Sequence, residues 1–164
     1  MPIASTDIKY HLSGGAANST PALSIGGAKS SVVRGTDIFD AVSSAEASAG
    51  RVEYRLIYVS NTHATLTLLG AKLWINLNTP SADTDIAVGL AAAGMSAAET
   101  AIANDTTAPA GVTFSAPGSF AAGLLLGDMA PGAYYGVWER RTVNAGAASA
   151  NDSYTLRAQG DTNP

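Results

Sequence analysis

The sequence predicts an all-β protein: an antiparallel β-sandwich, immunoglobulin-like or jelly roll, with an extended N-terminal arm. Three observations predict it. Short segments alternate apolar and polar residues, the signature of a half-buried strand. Turn clusters rich in Gly, Pro, Asn and Ser separate them. Convincing helical spacing is missing throughout, and many short strands without helices point to a sandwich. The reading divides the chain into an arm, residues 1–35, and a sandwich domain, residues 36–164.

Within the arm, Ile8, Tyr10 and Leu12 alternate with Lys9 and His11, which predicts a short strand. The following SGGAANSTPALSIGGAKSS is too poor in apolar residues to build a core, and reads either as a flexible leader or as an arm laid across something else. Over 36–50, Ile38, Phe39 and Val42 fit either a short edge strand or one helical turn capped by Asp37, with the strand preferred. RVEYRLIYVS, residues 51–60, is the clearest strand: Val52, Tyr54, Leu56 and Tyr58 share one face, and Arg51, Glu53 and Arg55 the other. Its end, with Ile57 and Val59, is apolar on both faces, as in a strand entering a sandwich interior.

Asn61-Thr62-His63 reads as a turn. Residues 65–78 form a strand in two pieces, with a bulge at Leu69-Gly70 and with Trp74 facing opposite to Leu73 and Ile75. Residues 85–91 align Ile86, Val88 and Leu90 on a third strand. AAAGMSAAETAIAND has alanine's helix preference but an interrupting Gly94, and reads as loops with a short strand near 99–103. Short strands are expected at 113–115 and 124–126, a turn at 128–132, a long strand at 133–142 and a last strand through Tyr154, Leu156 and Ala158.

Composition narrows the function classes. Ala, Gly, Ser and Thr make up 80 of the 164 residues, and only 13% are charged, about half the usual share. Few charges and many small side chains suit surfaces covered by neighbours, or simply a small β protein from an Ala-rich genome. The net charge of −4 argues against nucleic-acid binding. With no cysteine, thiolate metal sites, disulfides and cysteine nucleophiles are excluded. Asp7 and Lys9 interrupt the stretch a signal peptide would need, and no apolar run is long enough to span a membrane.

Motifs that carry chemistry are weak. His11 and His63 lie in polar, turn-like stretches, and no G-x-S-x-G elbow is present. Asp83-Thr84-Asp85 begins like a calcium loop, but Val88 stands where its glycine belongs and no closing Glu follows. Gly26-Gly27-Ala28-Lys29-Ser30 misses the phosphate-loop pattern at Ala28. Tyr134, Trp138 and Arg140 are a candidate surface for stacking a glycan, set against the simpler reading that one face of that strand is core. Sequons at Asn18, Asn104 and Asn151 carry no weight in so Asn-, Ser- and Thr-rich a chain. The expectation is a non-enzyme without cofactor or metal.

IFDAVSSAEASAGRVEYRLIYVSNTHATLTLLGAKLWI, within the block from Ile38 to Leu77, resembles proteins of tailed-bacteriophage structural gene clusters. There a short FD-V strand precedes an EYR-IYV-N strand and an LWI strand. VWERRTVNAGAASANDSYTLRAQGD is similar to their closing hairpin, and SGGAANSTP…GGAKSS to their leader. The resemblance covers about three-quarters of the chain, and its motifs are structural. It implies a virion structural protein and brings no active site.

The resulting expectation is a capsid decoration or cement protein, homo-oligomeric, assembled in the host bacterial cytoplasm and bound to the major capsid protein or other virion proteins, with no nucleic-acid or membrane partner. Tyr10, Leu12, Ile25 and Lys29 are the expected arm contacts. A tail, neck or baseplate component is the alternative on the same fold, and a carbohydrate-binding host-adhesion module the alternative of another class.

Overall fold

A computed structural model describes residues 2–148 and 152–162. Seven strands occupy two antiparallel sheets: β1 (Ile8–Leu12), β2 (Arg51–Asn61), β3 (Leu68–Leu77), β4 (Thr84–Met95), β5 (Leu124–Met129), β6 (Tyr134–Val143) and β7 (Thr155–Thr162). The first sheet has the order β1-β2-β6-β4, the second β5-β3-β7. The all-β sandwich expected from the alternation is therefore what the chain forms. One short helix, α1 (Ser44–Ala49), interrupts it. Ser43 caps that helix, accepting from the Glu46 amide while the Glu46 carboxylate reaches back to Ser43. The helix thus lies beyond the turn proposed at 38–42, and no strand forms there; the local capping chemistry of Ser43 and Glu46 decided the place.

The two sheets enclose one core. Ile57, Val59, Val137, Ile86 and Val88 face it from the first sheet, and Leu68, Leu73, Ile75, Leu126 and Met129 from the second. The expected bulge in β3 is present: its register shifts between Leu68 and Ala71, where Gly70 adopts φ 55 and its amide donates to Asp128 Oδ1 at 2.7 Å.

The first sheet is also covered on its other face. Leu56, Tyr58, Ala91 and Trp138 form a second core there, under Ile102, Val112 and Phe114. Irregular chain supplies this cover and is stitched down by backbone bonds: Leu56 N–H to Ser24 O, Tyr54 N–H to Asp105 O, Ile102 N–H to Ile25 O and Gly27 N–H to Glu99 O. Tyr58 Oη donates to Gly27 O and accepts from the Glu99 amide. Strands expected at 99–103 and 113–115 reduce to single bridges, Gly27 with Glu99 and Ser115 with Val88.

The extended arm is corrected by these contacts. β1 is an integral strand, paired with β2 from Ile8 opposite Asn61 to Leu12 opposite Ile57. Residues 8–12 thus share a sheet with β2, β6 and β4. Residues 30–34 return along the outer side of β1, with Leu12 N–H bonded to Val32 O, Ser30 N–H to Leu12 O and Arg34 N–H to Tyr10 O. The intervening Gly/Ser-rich chain is ordered by its own buried hydroxyls: Ser24 Oγ accepts from the Ser13 amide, and Ser30 Oγ donates to Asn18 O. Backbone and hydroxyl hydrogen bonds thus compensate for the apolar side chains the segment lacks.

Gly26 marks the tightest approach. It adopts φ 116, and a Cβ there would collide with the Ala101 backbone, whereas Gly15, with the same φ, has open space around it. Both substitutions to alanine incur left-handed strain of about 1–2 kcal/mol. Gly26→Ala is expected to lose a further ~1–3 kcal/mol through overpacking. Urea unfolding of the two variants tests this; equal losses would show that the cover does not bear on Gly26.

Candidate functional site

Glu53-x-Arg55 on β2 and Glu139-x-Arg141 on β6 carry the same three-residue pattern. The antiparallel register sets Glu53 opposite Arg141 and Arg55 opposite Glu139. Alternation then places all four on the face that also bears Ile57, Val59 and Val137, so the charges point between the sheets. Glu53 and Glu139 are fully buried, and Arg55 nearly so. Burying unpaired charge is prohibitive, so each must find partners from the covering segments.

The partners come from five directions. Glu53 accepts from Arg51 Nε at 2.8 Å and from Arg141 Nε at 2.8 Å. Arg141 Nη1 also donates to Asp40 O at 2.6 Å. Arg55 Nη2 meets Asp105 at 3.2 Å, and Arg51 reaches both Asp105 and the helix residue Glu46. Phe39 lies against two guanidinium groups, with Arg141 4.9 Å and Arg55 5.7 Å from its ring centroid. Glu139 is bound by Arg34 and by the hydroxyl of Tyr154, and Arg34 Nη2 closes the triangle by donating to Tyr154 Oη at 3.0 Å.

Burial pushes the Glu139 carboxyl above its ordinary range, against the pull of Arg34. Burial, reinforced by Glu139, lifts the Tyr154 hydroxyl well above 10. Burial opposes the charge of Arg34, but Glu139 and Tyr154 outweigh it and hold the guanidinium protonated. Both buried carboxylates are thus occupied by cations, an arrangement that fastens segments together and leaves no free acid–base pair.

Beside this network runs a shallow cleft of about 230 Å³ lined by Tyr10, Val33, Arg34, Gly35, Thr155 and Leu156. It separates the outer edge of the first sheet from β7. Burial raises the Tyr10 hydroxyl to about 12.

The residues expected to act at the surface scatter. Tyr10 is half-buried at the cleft, and Leu12 is part of the core, so Leu12 has no surface to offer a partner. Ile25 is half-buried in the cover, and the Lys29 ammonium sits 5.5 Å from the Tyr134 ring centroid. The proposed glycan face is overturned at its centre: Trp138 is completely buried under the cover. Tyr134 stands edge-on to Tyr58, and the Arg140 guanidinium lies over Phe114 at 5.2 Å, both half-buried. Trp74, the other tryptophan, is shielded by Phe120 and Arg157.

Among the described residues no group of three or more His, Asp or Glu is placed to hold a metal ion. Asp83 and Asp85 instead hold loops, accepting from the Ala148 amide and from Asn78. His63 Nδ1 accepts from the amides of Thr65 and Leu66 in its turn. The sequon at Asn151 lies outside the described residues. Arg34 and Tyr154 were missed from sequence, as was the inward network of Glu53, Arg55, Glu139 and Arg141, for which the repeated Glu-x-Arg spacing was the available signal.

Arg34→Ala is expected to leave Glu139 buried without its cation and to lower stability by about 3–5 kcal/mol. Chemical denaturation measures it. A loss under about 1 kcal/mol, the range of exposed pairs, would show that the pair does not hold the fold. No family model, no curated protein and no solved structure matches the chain.

Proposed function

We propose that this protein is a structural component of a tailed-bacteriophage virion, a decoration or cement protein that binds the assembled capsid. The observation that carries the reading is the resemblance of the Ile38–Leu77 block and of the closing hairpin to phage structural proteins. The surface agrees with it. Four of the nine Lys and Arg side chains are drawn into internal ion pairs. Leu23, Val33, Val42, Val52, Leu77, Phe120 and Leu125 meanwhile stand exposed. The low charge of the surface supports docking against neighbours.

The mechanism is mass action. A subunit that binds the assembled shell and not its free components stabilises the shell by its binding free energy. Many copies on one lattice add their effects. Since residues 8–34 are folded onto the sheet, docking falls to the folded surface and not to a free arm.

Co-sedimentation of the full chain with protein-free expanded capsids, and separately with purified tails, tests the reading. Binding to capsids, weakened at least tenfold by Leu23→Asp or Leu125→Asp, a loss of about 1.4 kcal/mol, is the expected result. Binding to tails alone would move the protein to the neck or baseplate, and binding to neither would refute a virion role.

A further inference from the structure

His11 occupies an unusual place. It lies in β1 between two neighbours, opposite Tyr58 of β2 and bridged to Val33 of the returning segment. It is 8% exposed, and neither ring nitrogen completes a hydrogen bond. The buried Ser60 hydroxyl, across the same strand pair, is also without a partner. The charged groups that act on the ring are Lys29 of the returning segment and Lys9, two residues along β1 on the same face. From β2 it meets uncharged Tyr58, and the carbonyls of Ser30 and Ser31 lie close enough to favour a proton. The acid on the adjoining cover, Glu99, is engaged elsewhere: its carboxylate accepts from the amides of Ala93 and Thr100.

We propose that His11 makes the pairing of β1 with residues 30–34 a proton-sensitive latch. Protonation adds a positive charge at a buried site already acted on by Lys29 and Lys9, and the backbone of residues 30–34 loosens from β1 and uncovers its edge, while the Arg34 side chain holds the end of the segment to Glu139. The outer segment is anchored strongly at Arg34, paired with Glu139, and more lightly along its backbone. Three backbone hydrogen bonds join it to β1, and Val33 on it is already half-exposed.

Burial, with Lys29 and then Lys9, lowers the imidazole below its ordinary 6.5. The opened form therefore takes up the proton more readily. Pairing is tightest above pH 6.5, weakens as pH falls towards the folded-state value, and loses nothing further below it. The other titratable anchor of the segment is Glu139, paired with Arg34. Its raised pKa has the opposite linkage, because the folded form takes up that proton more readily. A loosening on acidification is thus the signature of His11. The latch does not depend on the virion reading.

Amide hydrogen exchange of the full chain at about pH 7.5 and about pH 5.5, expressed as protection factors so that intrinsic rates cancel, tests it. Expected is a severalfold loss of protection at the amides of Leu12, Ser30 and Arg34, with no loss at Val88, whose amide bonds to Ser115 O in the cover over β4. His11→Gln should abolish the pH dependence. Undiminished protection in the wild type, or an equal loss in the variant, would overturn the latch. Should the variant fail to fold, the wild type decides by NMR: loss of protection at Leu12 and Ser30 that follows the titration of His11 supports the latch, and loss that does not follow it refutes it.

Discussion

The cross-strand register that sets Glu53 opposite Arg141 and Arg55 opposite Glu139 turns four charges inward, and the ion pairs they demand constrain more of this molecule than any other interaction. Four charged side chains enter the space between two sheets, where an unpaired charge would not survive. Their needs determine where the connecting chain must go. Residue 34 returns to Glu139, Asp40 and Phe39 fold over the guanidinium groups, and Asp105 crosses to Arg55. Tyr154, just ahead of β7, brings the second sheet to the same point. The polar end of the interior thus joins segments far apart in sequence, while the apolar end, around Ile57, Val59 and Val137, supplies the non-directional burial.

The second constraint is that the central strands β2 and β6 are apolar on both faces at their middle. Leu56, Tyr58 and Trp138 need a cover that the second sheet, packed on the opposite face, cannot give. Two stretches poor in large side chains provide it, around 24–27 and 99–115. Small residues suit this task, because they let backbone approach backbone closely enough to hydrogen-bond. Gly26 against Ala101 is the tightest instance. The abundance of Ala, Gly and Ser, readable as a sign of partner-covered surfaces, thus has a use inside the monomer.

The same economy explains the N-terminal segment. Ile8, Tyr10, Leu12 and Val32 pack on the core, while Leu23 and Val33 stand exposed. What remains between them is held by serine hydroxyls and by the backbone. A segment attached in this way is anchored firmly at Val32 and Arg34 and held between them by backbone hydrogen bonds near solvent, where a latch can act.

The strands expected at 51–60, 65–78, 85–91, 124–126, 133–142 and through Tyr154, Leu156 and Ala158 were legible from alternation, because the pleat imposes its period of two on any strand with a buried face, whereas the extensions to Met95 and Met129 read as loop and turn. The bulge at Leu69-Gly70 was legible for the same reason, as a break in that period. By itself the sequence also determined that Glu53 and Arg55 share a face, as do Glu139 and Arg141. Which face met the second sheet was decided only by the tertiary structure, since alternation distinguishes two sides without saying what covers either. That choice buried Trp138 instead of displaying it, and turned four charges inward to demand partners. It likewise took the folded chain to show residues 8–12 as part of the sheet with residues 30–34 alongside, because hydrogen bonds between backbone groups leave no trace in side-chain composition.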